Sequence, residues 1–280
     1  MNLTSKKVLL IDLEKEASEV KSYADLQKYV GGVGLGLKLM HLYKDLDPLV
    51  LSVGPLNGFF PFASKTSVVL NDSGVIEDLY IGGTLSARIK FTGIDSIVIC
   101  GKAKDKSVLE IIDTEVTFKP ADTEMGSLGL PGRRSIVAKD DTKFFVDKYF
   151  TTPEYFLETK LEEKNIIGLA ITGTETFKPV PLDKYQELYH KILARKSDIT
   201  VLENVHPSCF NCPMGCDRSR VGELGGNVLI HSLVACQYAE KIYSDVGVVF
   251  SCLNILGYDY THEDIENLPK LIEETLKNLN

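Results

Sequence analysis

The sequence predicts an α+β chain, with a β-rich part over residues 1–180 and a small all-α part over residues 181–280. Three observations carry this reading. Short β-branched and leucine-rich runs, such as Lys7–Leu13, Leu49–Val53, Thr66–Leu70 and Ser96–Cys100, are separated by Gly, Pro, Asn and Asp turns. The helical inserts among them are short, with no regular strand–helix–strand alternation and no fixed-period repeat. Beyond Pro179-Val180-Pro181, which reads as a linker, the apolar spacing becomes helical.

In chain order, Lys7–Leu13 and Val20–Tyr23 are expected to form a hairpin across Glu14–Ser18. Ala24–Val30 turns helical and leads through Gly31-Gly32-Val33-Gly34-Leu35-Gly36 into Leu37–Tyr43. Those glycines follow a helix rather than a strand, and no Lys-Ser/Thr pair follows them. Close helix packing is therefore preferred to a phosphate loop. Gly82–Ser86 opens a short helix that runs to Phe91. Strands are expected at Val108–Ile112, Val116–Phe118, Lys143–Tyr149 and Ile166–Ile171, with a helix over Pro153–Lys160. Arg133-Arg134 reads as a solvated pair or as a grip for an anion. In the second part, Asp183 is placed as the cap of a helix to Arg195, with Gln186 in the capping-box position. His231–Tyr243 and Asp245–Leu256 are read as helices, with Gly257 as the C′ residue of the second. Thr261 with Asp264 opens a further helix, and Pro269 begins or kinks the last.

The formal charge of −8, with Lys and Arg dispersed, argues against a nucleic-acid or anionic-membrane surface. No apolar run approaches the roughly 20 residues of a membrane span. The first residues lack a signal-peptide pattern, so a cytoplasmic location is expected. In that reducing setting, clustered cysteines are read as metal ligands rather than disulfides.

Three of the six cysteines fall in Cys209-Phe210-Asn211-Cys212-Pro213-Met214-Gly215-Cys216, spaced C-x2-C-x3-C. Soft thiolates on one compact turn suit an iron–sulfur cluster, with Cys236 or Cys252 as the fourth ligand. Structural zinc is the rival, with His206 or His231 completing the set. Unliganded thiols are the third possibility. Cys100, at a strand end, reads as a small core residue. Glu240, His231 and His262 are read first as surface or structural groups.

The chain resembles the tungsten-containing aldehyde:ferredoxin oxidoreductase family. Tyr29–Leu39 is similar to that family's GGRGLG-type helix. Asp47-Pro48-Leu49 with Gly54-Pro55-Leu56-Asn57-Gly58 is similar to its D-P-L and G-P-L-T-G segments. Gly82-Gly83, Ile89–Asp95 and Gly101-Lys102-Ala103 resemble its G-G, L-K-F-A-G-Y-D and G-K-A segments. Lys164-Asn165-Ile166, Ile171–Thr174, the cysteine turn and Asn254–Asp259 follow in the family's order. The resemblance implies a saddle-like β domain of two sheets followed by helical regions. It implies a 4Fe–4S cluster on Cys209, Cys212 and Cys216, for which Cys236, the nearest further cysteine, is taken as the fourth ligand. It also implies a tungstopterin or molybdopterin centre, with Lys65, Gly82, Gly83 and Asp259 as the binding positions. The activity implied is anaerobic oxidation of an aldehyde, with electrons passed to ferredoxin or another redox protein. A homodimer or a complementary subunit is expected. Val33, Lys65, Tyr80-Ile81 and Asn254 depart from the family pattern, and its second D-x-x-G-L motif and distant fourth cysteine have no counterpart before Asn280. A cluster-bearing accessory protein without pterin and a zinc-stapled scaffold therefore stand as alternatives.

Overall fold

The computed structural model describes residues 3–141, 143–216, 220–221 and 227–279. The first part builds two sheets. β1 (Lys6–Asp12), β2 (Ala17–Tyr23), β3 (Leu49–Ser52), β4 (Thr66–Asp72), β5 (Val75–Ile81) and β6 (Ser96–Cys100) belong to the first. β7 (Ser107–Ile112), β8 (Glu115–Pro120), β9 (Arg134–Asp140), β10 (Lys143–Val146), β11 (Phe150–Thr151) and β12 (Ile166–Thr172) form the second, in the order β11-β10-β9-β12-β7-β8. A short strand from the second part of the chain, β13 (Arg220–Val221), pairs antiparallel with β5. The first sheet then reads β13-β5-β4-β3-β6-β1-β2. Neighbouring strands are antiparallel except β1 with β6 and β7 with β12, which are parallel.

Strand alternation sorts the first sheet's side chains between two cores. Leu9, Ile11, Leu49, Leu51, Val68, Leu70, Ile97 and Ile99 point towards the second sheet and meet Leu109, Ile111, Val137, Leu169 and Ile171. Val8, Val50, Val69 and Val98 point the other way, towards helices. There α1 (Gly32–Leu42) lies on β3 and β4 and packs against two later helices. Its glycines serve packing, as expected.

Short helices complete the fold: α2 (Leu85–Lys90), α3 (Phe156–Glu163), α4 (Leu182–Ala194), α5 (Val228–Leu233), α6 (Glu240–Tyr243), α7 (Val246–Ile255), α8 (His262–Glu266) and α9 (Leu268–Lys277). α8 starts with a full capping box of Thr261 and Asp264. Gly257 follows α7 with φ 87°, the left-handed C′ geometry. Two readings change. The residue before α4 is Pro181, which offers no side-chain cap, and Asp183 lies inside the first turn, where its charge favours the helix dipole. The segment read as one helix over His231–Tyr243 breaks after Leu233, because Val234 turns left-handed at φ 52° and Cys236 is extended. Among the described residues no helix is long and apolar enough to cross a membrane.

The helical layer is fastened to the first sheet by polar groups as well as by its core. Lys6 is buried at the start of β1 and donates to the Tyr260 hydroxyl at 3.1 Å and to the Val30 carbonyl. Lys90 pairs with Asp95 at 3.5 Å, and Asp95 accepts the Lys7 N–H at 3.0 Å. The layers also meet backbone on backbone: a Cβ at Gly54 would stand 2.1 Å from the Leu233 carbonyl oxygen. Gly54→Ala is expected to destabilise the fold by roughly 1–3 kcal/mol or more through overpacking. The check is the urea midpoint. Gly126→Ala, where the new methyl would meet only the Glu124 carboxylate at 3.4 Å, serves as the neutral control. Equal midpoints for the two would show that the layers do not meet at Gly54.

Candidate functional site

The cysteine turn is held by backbone geometry. The Cys212 N–H donates to the Cys209 carbonyl at 3.1 Å, closing a tight turn. Asn211 is left-handed at φ 56° and Gly215 at φ 62°. Only glycine fits at 215, since a Cβ there would lie 2.4 Å from the Asn204 carbonyl oxygen and 2.6 Å from that of His206. The turn is clamped from two sides. The Phe210 N–H donates to the Gly83 carbonyl at 3.1 Å, and the Phe62 N–H donates to the Asn211 carbonyl at 3.3 Å.

The segment Asn57–Lys65 is the other half of the clamp. The buried Asn57 side chain accepts the Gly54 N–H at 2.6 Å and donates to the Ala63 carbonyl at 2.8 Å and the Lys65 carbonyl at 3.3 Å. Tyr185 on α4 and Tyr243 on α6 donate to the Phe59 and Pro61 carbonyls. On its far side the same segment grips the chain around Cys236. The Cys236 N–H donates to the Phe62 carbonyl at 2.7 Å, and the Lys65 N–H to the Val234 carbonyl at 3.2 Å. The left-handed Val234 makes the reversal that brings Cys236 here. A β-branched residue in that conformation costs on the order of 1–3 kcal/mol, and the surrounding hydrogen bonds hold it there.

Four thiols and one ammonium converge as a result. Cys209 and Cys236 are buried, and Cys212 and Cys216 are half-buried. The Gly83 N–H donates to the Cys209 sulfur at 3.2 Å. Lys65 is fully buried, and a Cβ on Gly82 would stand 2.9 Å from the Cys209 sulfur and 3.2 Å from the Lys65 Nζ. Burial works against the Lys65 charge, yet the electrostatic influence of Cys209, Cys236, Cys216 and Cys212 together outweighs it and holds its pKa above the ordinary lysine value. Burial, reinforced by the other three cysteines, pushes the Cys212 thiol up to about 12. Burial also raises Cys236, while Lys65 pulls it back.

Cys236 therefore shares the Lys65 environment, whereas Cys252 is buried on α7 beside Tyr185 and Tyr243. Cys100 ends β6 near Lys164 and Asp47. His206 is exposed, its ring beside Tyr149 at 5.9 Å, and His231 stacks on Tyr80 at 4.2 Å. Among the described residues no group of three or more His, Cys, Asp and Glu side chains is arranged to hold a metal ion. Asp259 is exposed, and the buried groups flanking it are Tyr258 and Tyr260, which meet Lys6 rather than the cysteines. Glu240 accepts from the Asn227 side chain at 2.9 Å on the surface. His262 packs on Phe250 at 4.2 Å. Sequence reasoning missed the parts played by Asn57 and Val234. The Gly-Pro-Leu-Asn-Gly segment was a signal for the first, and nothing local marks the second.

The order of these segments agrees with a known family. Residues 8–139 match the model of the aldehyde ferredoxin oxidoreductase N-terminal domain. Over this segment, a little under half of its length, the chain is similar to the aldehyde ferredoxin oxidoreductase family. Among its relatives is a protein of Pyrococcus furiosus named aliphatic sulfonate oxidoreductase, WOR-like subunit. It is 32% identical over 140 residues, covering 44% of this chain and 22% of the relative. A tungsten-containing aldehyde ferredoxin oxidoreductase of the same organism is 32% identical over 108 residues, covering 34% of this chain and 18% of its own length. The enzyme of that name from Thermococcus kodakarensis is 29% identical over 128 residues, covering 40% and 21%. The match thus spans about a fifth of each curated relative. The relatives are oxidoreductases by name, and several are named as tungsten-containing. Among solved structures, the BamBC active-site complex of benzoyl coenzyme A reductase, determined with 1,5-dienoyl-CoA, shares the fold. Its TM-score is 0.57 at 16% identity, with 72% of this chain and 36% of that chain covered.

The contact at Gly82 is open to a direct check. Gly82→Ala is expected to lower stability by roughly 1–3 kcal/mol and to speed alkylation of Cys209 by iodoacetamide, because the new methyl must displace either the sulfur or the Lys65 ammonium. Unchanged stability and alkylation would show spare room there.

Proposed function

We propose that Cys209, Cys212, Cys216 and Cys236 hold a 4Fe–4S cluster, and that this chain is the cluster-bearing, electron-transferring part of an aldehyde ferredoxin oxidoreductase-like system. The observation that carries the reading is a shared setting: the Cys209 sulfur and the fully buried Lys65 ammonium both lie against Gly82, and the loop that carries Lys65 also binds the Cys236 N–H at the Phe62 carbonyl, 2.7 Å away. A charge buried this deeply is expensive unless compensated. Thiolates on a cluster beside it would lower that cost. The donor set fits as well, being four sulfurs with no oxygen ligand. A cubane takes thiolates that stand further apart than those around a single ion. When bound, such a cluster supplies one-electron transfer.

The chain's own residues have definable parts in this reading. The Gly83 N–H, donated to the Cys209 sulfur, and the Lys65 ammonium both favour added negative charge on the sulfurs, and so favour the reduced state. Cys209, Cys236 and Met214 are buried and keep water from one side. Cys212 and Cys216 are partly exposed and form the side by which electrons pass to ferredoxin or another redox protein.

The pterin positions do not fit in the same way. Lys65 faces the four cysteines, Gly82 packs on Cys209, Lys65 and Phe150, and Gly83 packs on Phe150 and Val146. Asp259 stands away in solvent. These residues do not cradle a second cofactor. Oxidation of an aldehyde-type donor is assigned to a complementary subunit.

Anaerobically prepared protein is expected to carry about four irons per chain, and Cys236→Ser to lose most of them, while Cys252→Ser keeps them. Iron analysis with visible spectra decides this, and a native chain that holds zinc without iron would sink the reading. In the cluster-loaded protein, Lys65→Met is expected to lower the midpoint potential by at least a tenfold change in the reduction equilibrium, about 59 mV for one electron. Lys65→Arg should restore most of it. An unchanged potential in the methionine variant would remove Lys65 from the site's electrostatics.

A further inference from the structure

Away from the cysteines, a cavity of about 260 Å³ opens where the end of α2, the turn before β9 and the segment after β12 meet. Its lining includes Arg88, Arg133, Phe91, Phe177, Thr176 and Glu175. Backbone bonds set the walls. The Gly173 N–H donates to the Arg133 carbonyl at 3.3 Å, and the Glu175 N–H donates to the Phe91 carbonyl at 2.8 Å. Thr174 is fastened to Asp113 by its N–H at 2.7 Å and its hydroxyl at 2.6 Å.

Two guanidinium groups of like charge line this one cavity in a chain whose net charge is −8. Arg88 donates one Nη to the Gly132 carbonyl at 2.9 Å, and among the described residues its buried Nε–H has no partner. Burial, with Arg133 adding to it, depresses the Arg88 pKa, while Asp147 opposes the shift. Asp147 is already engaged by the Thr84 N–H and hydroxyl, the Ser135 hydroxyl and the Ile136 N–H. Glu175, the acidic residue of the lining, has its carboxylate against Gly93 and makes no ion pair among the described residues. A buried unmatched N–H beside a second guanidinium is costly unless an anion completes it. Phe91 and Phe177, with ring centroids 6.5 Å apart, add an apolar wall. A second cavity of about 390 Å³ shares Thr176 and Phe177 and is lined further by Phe59, Val180 and Leu256.

We propose that this cavity binds a small organic carboxylate, its oxygens between Arg88 and Arg133 and its apolar body against Phe91 and Phe177. The planar forks of the two arginines match a carboxylate, and the rings select against a bare inorganic anion. The site stands apart from the cysteines, with the Phe91 ring packed edge-on to Phe210 of the cysteine turn at 5.9 Å.

Isothermal titration of the full chain at low ionic strength tests this, with phenylacetate as probe and 2-phenylethanol and inorganic phosphate as comparators. Phenylacetate is expected to bind saturably at one site, and more tightly than either comparator. Arg88→Gln and Arg133→Gln should each weaken binding about tenfold or more, the loss of a charge-assisted hydrogen bond. Glu175→Gln should tighten it by removing a competing charge. Arg133 is exposed, so its variant keeps the fold even if Arg88→Gln does not. The proposal is overturned by an absence of saturable phenylacetate binding, by equal binding of phosphate or phenylethanol, or by unaltered affinity in Arg133→Gln.

Discussion

The backbone hydrogen bonds made by one segment organise the molecule's chemistry. Phe62 accepts from Cys236 with its carbonyl and donates to Asn211 with its N–H, while Lys65 donates to Val234. The segment from Asn57 to Lys65 is neither helix nor strand, so its polar groups need partners from elsewhere. It takes them from two cysteine-bearing stretches that are distant in sequence. The bonds that keep this loop from burying unsatisfied groups are therefore the same ones that set Cys209, Cys212 and Cys216 opposite Cys236. Asn57 makes the arrangement rigid by spanning Gly54, Ala63 and Lys65 with one amide.

Electrostatics then explains why these groups occupy a seam between layers. Burial disfavours both the thiolates and the lysine charge when each stands alone, and the two signs relieve one another only when held together. The first sheet provides Lys65 at the start of β4 and Gly82-Gly83 at the end of β5, and the helical layer provides Cys236. The layers can meet this closely because Gly54 lets one backbone rest against another at Leu233. Lys6 with Tyr260, and Lys90 with Asp95, fasten the same interface at a distance from the cysteines. Stability and site geometry therefore share one interface, and a change at Gly54 reaches both.

Much of the fold was legible in the chain because period-two alternation and turn residues are local signals. The strands from Lys6 to Cys100, the Thr261 capping box and Gly257 each express rules that act within a few residues. The failures also have local causes. Asp183 looked like a cap because an acidic residue near a helix start is ambiguous by a position or two, and Pro181 took the boundary. Cys236 was read on a helix because Val234 is no helix breaker by composition, and its left-handed backbone is imposed by contacts with Lys65 and Phe62. Arg133 was noted as an anion grip or a solvated residue, and its neighbour Arg88, from another element, passed unremarked.

The sequence by itself determined the two-part α+β architecture, the tight cysteine turn with its glycine, and the likeness of residues 8–139 to the aldehyde ferredoxin oxidoreductase N-terminal domain. These rest on residue chemistry within short windows: side-chain period, backbone permissiveness at Gly215, and thiol spacing. Only the tertiary structure decided that Cys236 rather than Cys252 lies against the loop that carries Lys65, that Lys65 and the Cys209 sulfur share the contact at Gly82, that Asp259 is exposed, and that Arg88 and Arg133 share a cavity. Each of those outcomes depends on how backbone groups far apart in the chain satisfy one another, and no window of sequence contains both partners.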